Sequence, residues 1–511
     1  MSSRVITVPA PVGGLNARDS LADMKPTDAV ILTNWFCRPD KVINRKGFTS
    51  WSTGITGDIQ SMFCYTPTSG FQEMYAVADS GGSCSIYDIS STGAVGAATV
   101  SSLTSAQYRT HHMTNAGGTY LYAVNGSDDP LLYDGTTFTA INGTSTPAIT
   151  GVTTANLIDL VVHQNRFWFV EKNTMSCWYL GTEAISGAAT EFNFGALFKR
   201  GGHISTIATW TIDAGAGMDD HFVVITTNGE VAIYSGTDPS SSTTWSLVGV
   251  YYIAQPIGPN SHIKYEGDVL VLTKEGVLPL SKALLSDRVN PKIAITDKIR
   301  SEVTQDVASY GENYGWSITL FNPQNMLIMN VPTSSTTSEQ YAMNTINGSW
   351  SRFTGINARS FVNANGSIYF GTNGGTVYKF WDGASDDGLE ITTYCLPAFN
   401  NFGKDSQTKF VKMARVIIGY DSNISINTVV NVDFDTTSPA GIPTYTGLTY
   451  AAWDTAIWDS SLWGGDIVVT RDWYGVSGIG YWAAINFTTV ANSASIEMYS
   501  VDYVVEEGSI L

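Results

Sequence analysis

A short paired pattern recurs through the middle of this 511-residue chain, and it constrains the fold more than any single motif. An apolar or aromatic strand is followed by a polar turn and then by a second short strand. The copies are Met74-Tyr-Ala-Val with Ser85-Ile-Tyr-Asp, Tyr120-Leu-Tyr-Ala-Val with Leu131-Leu-Tyr-Asp-Gly, and Phe167-Trp-Phe-Val with Cys177-Trp-Tyr. They continue at Phe222-Val-Val-Ile with Val231-Ala-Ile-Tyr, Val269-Leu-Val-Leu with Val277-Leu-Pro-Leu, Met326-Leu-Ile-Met with Gln340-Tyr-Ala-Met, and Ile368-Tyr-Phe with Val377-Tyr-Lys-Phe. Successive copies start roughly 42 to 57 residues apart, the span of one four-stranded blade. One such unit cannot bury both faces of its sheet, so it must stack on neighbours, and a closed ring leaves no end face bare. The spacing predicts an all-β fold, a β-propeller of about seven blades over residues 58–389, with six or eight blades left open. A stack of unrelated hairpins is the plainer alternative.

Composition agrees with many short strands. Charged residues are only 14% of the chain and aromatics 12%, with 49 glycines, which suits pleated surfaces and tight turns better than long helices. Outside the repeats the pattern changes. Residues 1–57 read as an irregular N-terminal leader, with one short helix expected at Pro26-Thr-Asp-Ala-Val-Ile-Leu and a strand and turn over 41–51. A second helix is expected where Ile299, Val303 and Val307 fall at helical spacing behind a capping Thr296, as an insertion between blades. Residues 390–511 alternate apolar and polar positions, as in Ser425-Ile-Asn-Thr-Val-Val-Asn-Val-Asp-Phe, and predict a C-terminal β-sandwich module.

The search for chemistry yields little. The five cysteines are scattered without a CxxC pair, which predicts free thiols in a reducing cytoplasm. The six histidines form no ligand spacing, and the His111-His112 pair points to opposite faces of any strand that carries it. No GxSxG elbow, Walker loop or GxGxxG is present. Adjacent acids at Asp128/Asp129, Asp219/Asp220 and Asp386/Asp387 sit beside Gly or Pro, where carboxylates cap turns, although a loop calcium site at Asp386-Asp-Gly is the other reading. Of the sialidase SxDxGxTW turn only a tail is matched, at Ser242-Thr-Thr-Trp245. No catalytic, cofactor or metal residue is assigned. The N-terminus has no uninterrupted apolar stretch of the secretory kind, and no run is long enough to span a membrane. A net charge of −18 repels polyanions on average, which excludes tight DNA binding and fits either solubility or a surface that nucleic acid slides past.

Two features suggest contacts instead. In AAWDTAIWDSSLWGGD, Trp453, Trp458 and Trp463 recur every five residues, neither a strand nor a helix period, so they form a looped row of aromatic anchors. They either pack within their own module or plug a subunit interface. Lys404, Lys409, Lys412 and Arg415 are the densest positive stretch, a solvated strand face or an electrostatic contact with a neighbouring subunit.

Both ends of the chain resemble virion proteins of short-tailed phages. Gly13-Gly-Leu-Asn-Ala-Arg-Asp-Ser-Leu, Met24-Lys-Pro-Thr-Asp-Ala-Val, Asn34-Trp-Phe, Arg38-Pro and Arg45-Lys-Gly look like the leader of the propeller-shaped tail nozzle or hub family. Pro397-Ala-Phe-Asn-Asn-Phe-Gly, Asn431-Val-Asp-Phe, the tryptophan row and Trp473-Tyr-Gly-Val-Ser-Gly-Ile-Gly are similar to its terminal module. The middle agrees only in hairpin rhythm. The resemblance implies a non-enzymatic structural protein of the virion tail, made in the host cytoplasm and without a cofactor. It would form a ring homo-oligomer, a hexamer, below portal and adaptor, retaining packaged DNA and letting it pass through the lumen without specific binding. The rivals are a propeller glycosidase or depolymerase and a receptor-binding tail module acting on the host surface.

Overall fold

A computed structural model describes residues 3–213, 218–258, 260–283, 291–422, 424–439, 468–469, 472–491 and 494–508. The structure is nearly all β: among the described residues its strands pair into nine sheets, within which seven antiparallel groups of three or four strands repeat as blades. Their first strands are Asp58–Tyr65, Arg109–Asn115, Leu157–His163, Ile204–Asp213, His262–Tyr265, Ser317–Phe321 and Ser360–Ala364, which we number as the inner strands of blades 1 to 7. Each repeat copy read from the sequence is the second and third strand of one blade, for example Met218–Thr226 with Glu230–Gly236 in blade 4; blade 5 has three strands among the described residues.

The blades close into a ring. Successive apolar residues of a middle strand point to opposite faces, so each blade contributes alternately to two clusters. In blade 2, Leu121 and Ala123 pack with blade 1, whereas Tyr122 and Val124 pack with blade 3. In blade 4, Phe222 and Val224 join blade 3, and Val223 and Ile225 join blade 5. This two-sided burial is why the repeats read as continuous apolar runs rather than as alternation. A last cluster joins Val362, Tyr369 and Val377 of blade 7 to Ile59, Met62 and Met74 of blade 1, which completes the circle.

Closure uses a strand from the N-terminal region. Phe48–Thr53 pairs antiparallel with Val377–Phe380 as the outer strand of blade 7, with Phe48 opposite Phe380. The 1–57 segment is therefore not a separate leader. Its other strands belong to a second layer at the C-terminal end: Ser3–Pro9 pairs with Ile496–Glu507 over its whole length, and Val42–Asn44 pairs with the same strand. The short helix expected from Pro26 onward is instead the strand Asp28–Thr33, hydrogen-bonded to Ile391–Pro397. Asp28 does not cap a helix: its carboxylate accepts from Asn16 Nδ2 at 2.8 Å and from Lys298 Nζ at 2.7 Å. Partners supplied from more than 250 residues away override the local signal. The other expected helix does form, at Arg300–Tyr310, between blades 5 and 6. It starts later than the sequence suggests, because Thr296 Oγ1 accepts from Val277 N–H at 3.1 Å and caps nothing.

The C-terminal strands form two facing sheets. One contains Lys409–Tyr420 and Ile496–Glu507; the other contains Ile391–Pro397, Ala483–Ala491 and Ile424–Val432. Their inner faces share one core, in which Trp35 meets Phe487 edge-on at 5.9 Å. The second sheet runs without a break through Asp28–Thr33 into blade 6, so sandwich and propeller are welded along one nine-stranded sheet. At this junction Arg45 is fully buried and gives a two-pronged ion pair to Asp386, with Nη1 at 2.7 Å from Oδ1 and Nη2 at 2.5 Å from Oδ2. Its remaining donors go to Asn34 Oδ1 and to the carbonyls of Lys46 and Thr354.

Candidate functional site

The inner strands of all seven blades line one central cavity of about 680 Å³. That is the scale of a small-molecule pocket, far too narrow for a nucleic-acid duplex to thread. Its wall is mostly polar, since the inner strands present Ser, Thr, Asn and His between their buried neighbours. Thr206 is the centre of one network: its hydroxyl donates to Asp159 Oδ2 at 2.6 Å and lies 3.0 Å from His262 Nδ1. The single hydroxyl proton goes to the carboxylate, so His262 Nδ1 carries the proton it donates to Thr206. Burial pushes His262 down to about 4, against the pull of Asp159, and its ring is neutral at pH 7. Asp159 also accepts the Ile207 N–H at 3.1 Å. On another wall Lys264 Nζ donates to Thr211 Oγ1 at 3.0 Å, which donates to Asp220 at 2.6 Å. Arg109 reaches the cavity with Nε and Nη2 buried and without a hydrogen-bond partner.

Chemically this is a hydroxyl-rich channel with two imidazoles, His111 and His262, and two cations, Arg109 and Lys264, against two carboxylates, Asp159 and Asp220. Among the described residues, no group of three or more His, Cys, Asp or Glu side chains is placed to hold a metal ion. Of the acidic residues singled out in the sequence, Asp220 lies on the strand Met218–Thr226 and accepts from Thr211 Oγ1, while those of the other two pairs serve turns, side-chain hydrogen bonds and an ion pair. Asp128 accepts from the Thr104 and Ser105 N–H groups, Asp129 from Thr154 Oγ1 and Asn142 Nδ2, and Asp387 from the Ser50 N–H. Asp386, the calcium alternative, is taken by Arg45. His111 and His112 do point to opposite sides: His111 lines the channel, while His112 Nε2 accepts the Thr66 N–H at 3.2 Å.

The basic stretch lies on the strand Lys409–Tyr420, where each cation has a partner within the chain. Lys412 meets Glu506 at 2.5 Å, Arg415 meets Asp502 at 2.7 Å, and Lys404 meets Glu507. Lys409 is buried and donates to the carbonyls of Tyr481, at 2.8 Å, and Lys404. Any neighbouring subunit would compete with these pairs. Trp453, Trp458 and Trp463 lie outside the described residues. The channel residues Arg109, Asp159 and His262, and Thr206 behind them, carry no local motif. Only back-counting from each repeat to the strand before it would have pointed to them.

Strand pairing and core clusters together define the class: a closed seven-bladed β-propeller carrying a β-sandwich built from both chain ends. The sequence matches no family model and no curated protein. Among solved structures it is similar to the computationally designed Ika8 protein, at 10% identity over 65% of this chain and 100% of that one, with a TM-score of 0.36. It is also similar to BBS1N from its complex with ARL6DN, at 11% identity over 66% of this chain and 97% of that one, TM-score 0.39. YCF48 bound to D1 peptide aligns at 9% identity over 66% and 95%, TM-score 0.38. The propeller assignment rests on the pairings above and not on these likenesses.

Proposed function

We propose that this chain is a structural subunit of a phage tail, a nozzle or hub that assembles as a ring and lets DNA pass between its copies. One observation carries the reading. Described parts of the two segments that resemble the tail-nozzle family, separated by some 350 residues, share sheets. Trp35–Cys37 of the first lies in one sheet with Tyr474–Gly480 of the second, and Ala29 of the first pairs with Pro397 of the second. The narrow channel of one propeller cannot hold a duplex, so in this reading the conduit is the space enclosed by several subunits. Net charge of −18 suits a wall that phosphates slide past.

The outer face of the sandwich offers a surface for neighbours. Val5, Val504 and Met413 lie side by side across three strands, and Ile479 beyond them is 68% exposed. An apolar row on a sheet face is the kind of surface that subunit packing covers. Purified particles should contain the chain at a fixed multiple per portal, and electron microscopy should place it below the adaptor. Its absence from particles would overturn the reading. A hydrolase acting on host sugars would release sugar from envelope material, whereas the structural subunit releases none.

A further inference from the structure

Arg109 opens the inner strand of blade 2 and borders two spaces at once. One is the central channel; the other is a hollow of about 280 Å³ at the end of the ring where the inner strands begin. Other cations meet carboxylates, as Arg45 does Asp386, Arg352 does Glu339 and Lys298 does Asp28, or donate to oxygens, as Lys409 does to two carbonyls. Arg109 has no such partner among the described residues, and its Nε and Nη2 are buried without an acceptor. Buried donors left unpaired are costly, and an acceptor entering the hollow would relieve that cost.

The walls of the hollow point to the chemistry of the acceptor. Its second cation is Lys172, whose Nζ donates one bond to the Gly126 carbonyl at 3.1 Å and has two protons left. The Tyr108 hydroxyl beside it is also buried without a partner, and Asn260 and Ser127 add neutral donors. No carboxylate belongs to the described lining. Burial pushes the Tyr314 phenol up to about 12, with Arg109 and Arg359 pulling it down, so this wall adds no negative charge at neutral pH.

We propose that this hollow is a binding site for a small oxyanion, the phosphate or carboxylate group of a small molecule, held by Arg109 and Lys172. A guanidinium fork matches the two oxygens of either group, and Lys172 adds a point charge. The adjoining channel, lined by Thr209, Ser317 and Thr319, leaves room for a hydroxylated remainder of the ligand. The site stands whether or not the chain builds a tail, because it needs only one folded copy.

The test is thermal unfolding and calorimetric titration of the full chain at pH 7, with inorganic phosphate or acetate replacing chloride at equal ionic strength. The midpoint of the unaltered chain rises with the anion. Arg109→Gln weakens that anion's affinity at least about tenfold, and Lys172→Gln weakens it less. Without anion, Arg109→Gln unfolds at or above the original midpoint, since it removes unpartnered buried donors. If that variant fails to fold, Lys172→Gln carries the comparison alone. A response to either anion that depends on these side chains supports the site, and the stronger response identifies phosphate or carboxylate as the group held. No response to either, or one that both variants leave intact, overturns it.

Discussion

Arg45 is the side chain on which most of the junction converges. It joins the N-terminal region to the connection between blade 7 and Ile391–Pro397 through Asp386, with every donor occupied and almost no solvent contact. Removing one partner of such a pair strands a buried charge, at a cost of about 3–5 kcal/mol. Arg45→Ala should lower the urea unfolding free energy by that order, and Arg45→Lys should rescue little, because an ammonium cannot make the two-pronged contact. His262 is one of four histidines, with His111, His112 and His163, that burial pushes down and that tie stability to pH. Its folded value of about 4 lies below its ordinary 6.5, so between those limits the unfolded chain binds more protons. The stability it contributes is intact above pH 6.5 and is lost as pH falls through about 4. Urea midpoints measured from pH 7.5 to 4.5 should fall less steeply in His262→Gln than in the unaltered chain.

At the scale of elements, the N-terminal strands behave as integral parts of distant sheets. Phe48–Thr53 completes blade 7, and Ser3–Pro9 covers one edge of Ile496–Glu507. Without them a propeller blade and a sandwich sheet each lose a strand and expose hydrogen-bonding edges, which invites aggregation. A chain beginning at Gly54 should lose near-UV dichroism and leave the monomeric fraction in gel filtration, whereas loss of a mere leader would change neither. Ser50→Pro is the milder version. It removes the Ser50 N–H that donates to Asp387 at 3.1 Å, and a loss of about 1–3 kcal/mol in unfolding free energy is expected.

For the whole molecule, the nine-stranded sheet shared by blade 6 and the sandwich couples the two halves. Calorimetry should therefore give one main unfolding transition and not two separated ones. The proposed ring assembly is tested at this scale. Met413→Glu combined with Ile479→Glu places charges on exposed apolar positions, so the monomer should keep its unfolding free energy within about 0.5 kcal/mol while the proposed rings no longer form. Retention of rings by that variant, seen in electron micrographs, would move the interface elsewhere.

The sequence by itself determined the blades, because burial of each middle strand between two neighbours demands runs such as Phe222-Val-Val-Ile that repeat once per blade. It also determined the helix at Val303, since that rests on periodicity within a short window. Only the tertiary structure decided that Asp28–Thr33 is a strand, that Phe48–Thr53 closes the ring, and that Arg109, Asp159 and His262 line one channel. Those outcomes depend on partners tens to hundreds of residues away. A hydrogen bond or an unpaired charge across that distance leaves no periodic trace in the chain.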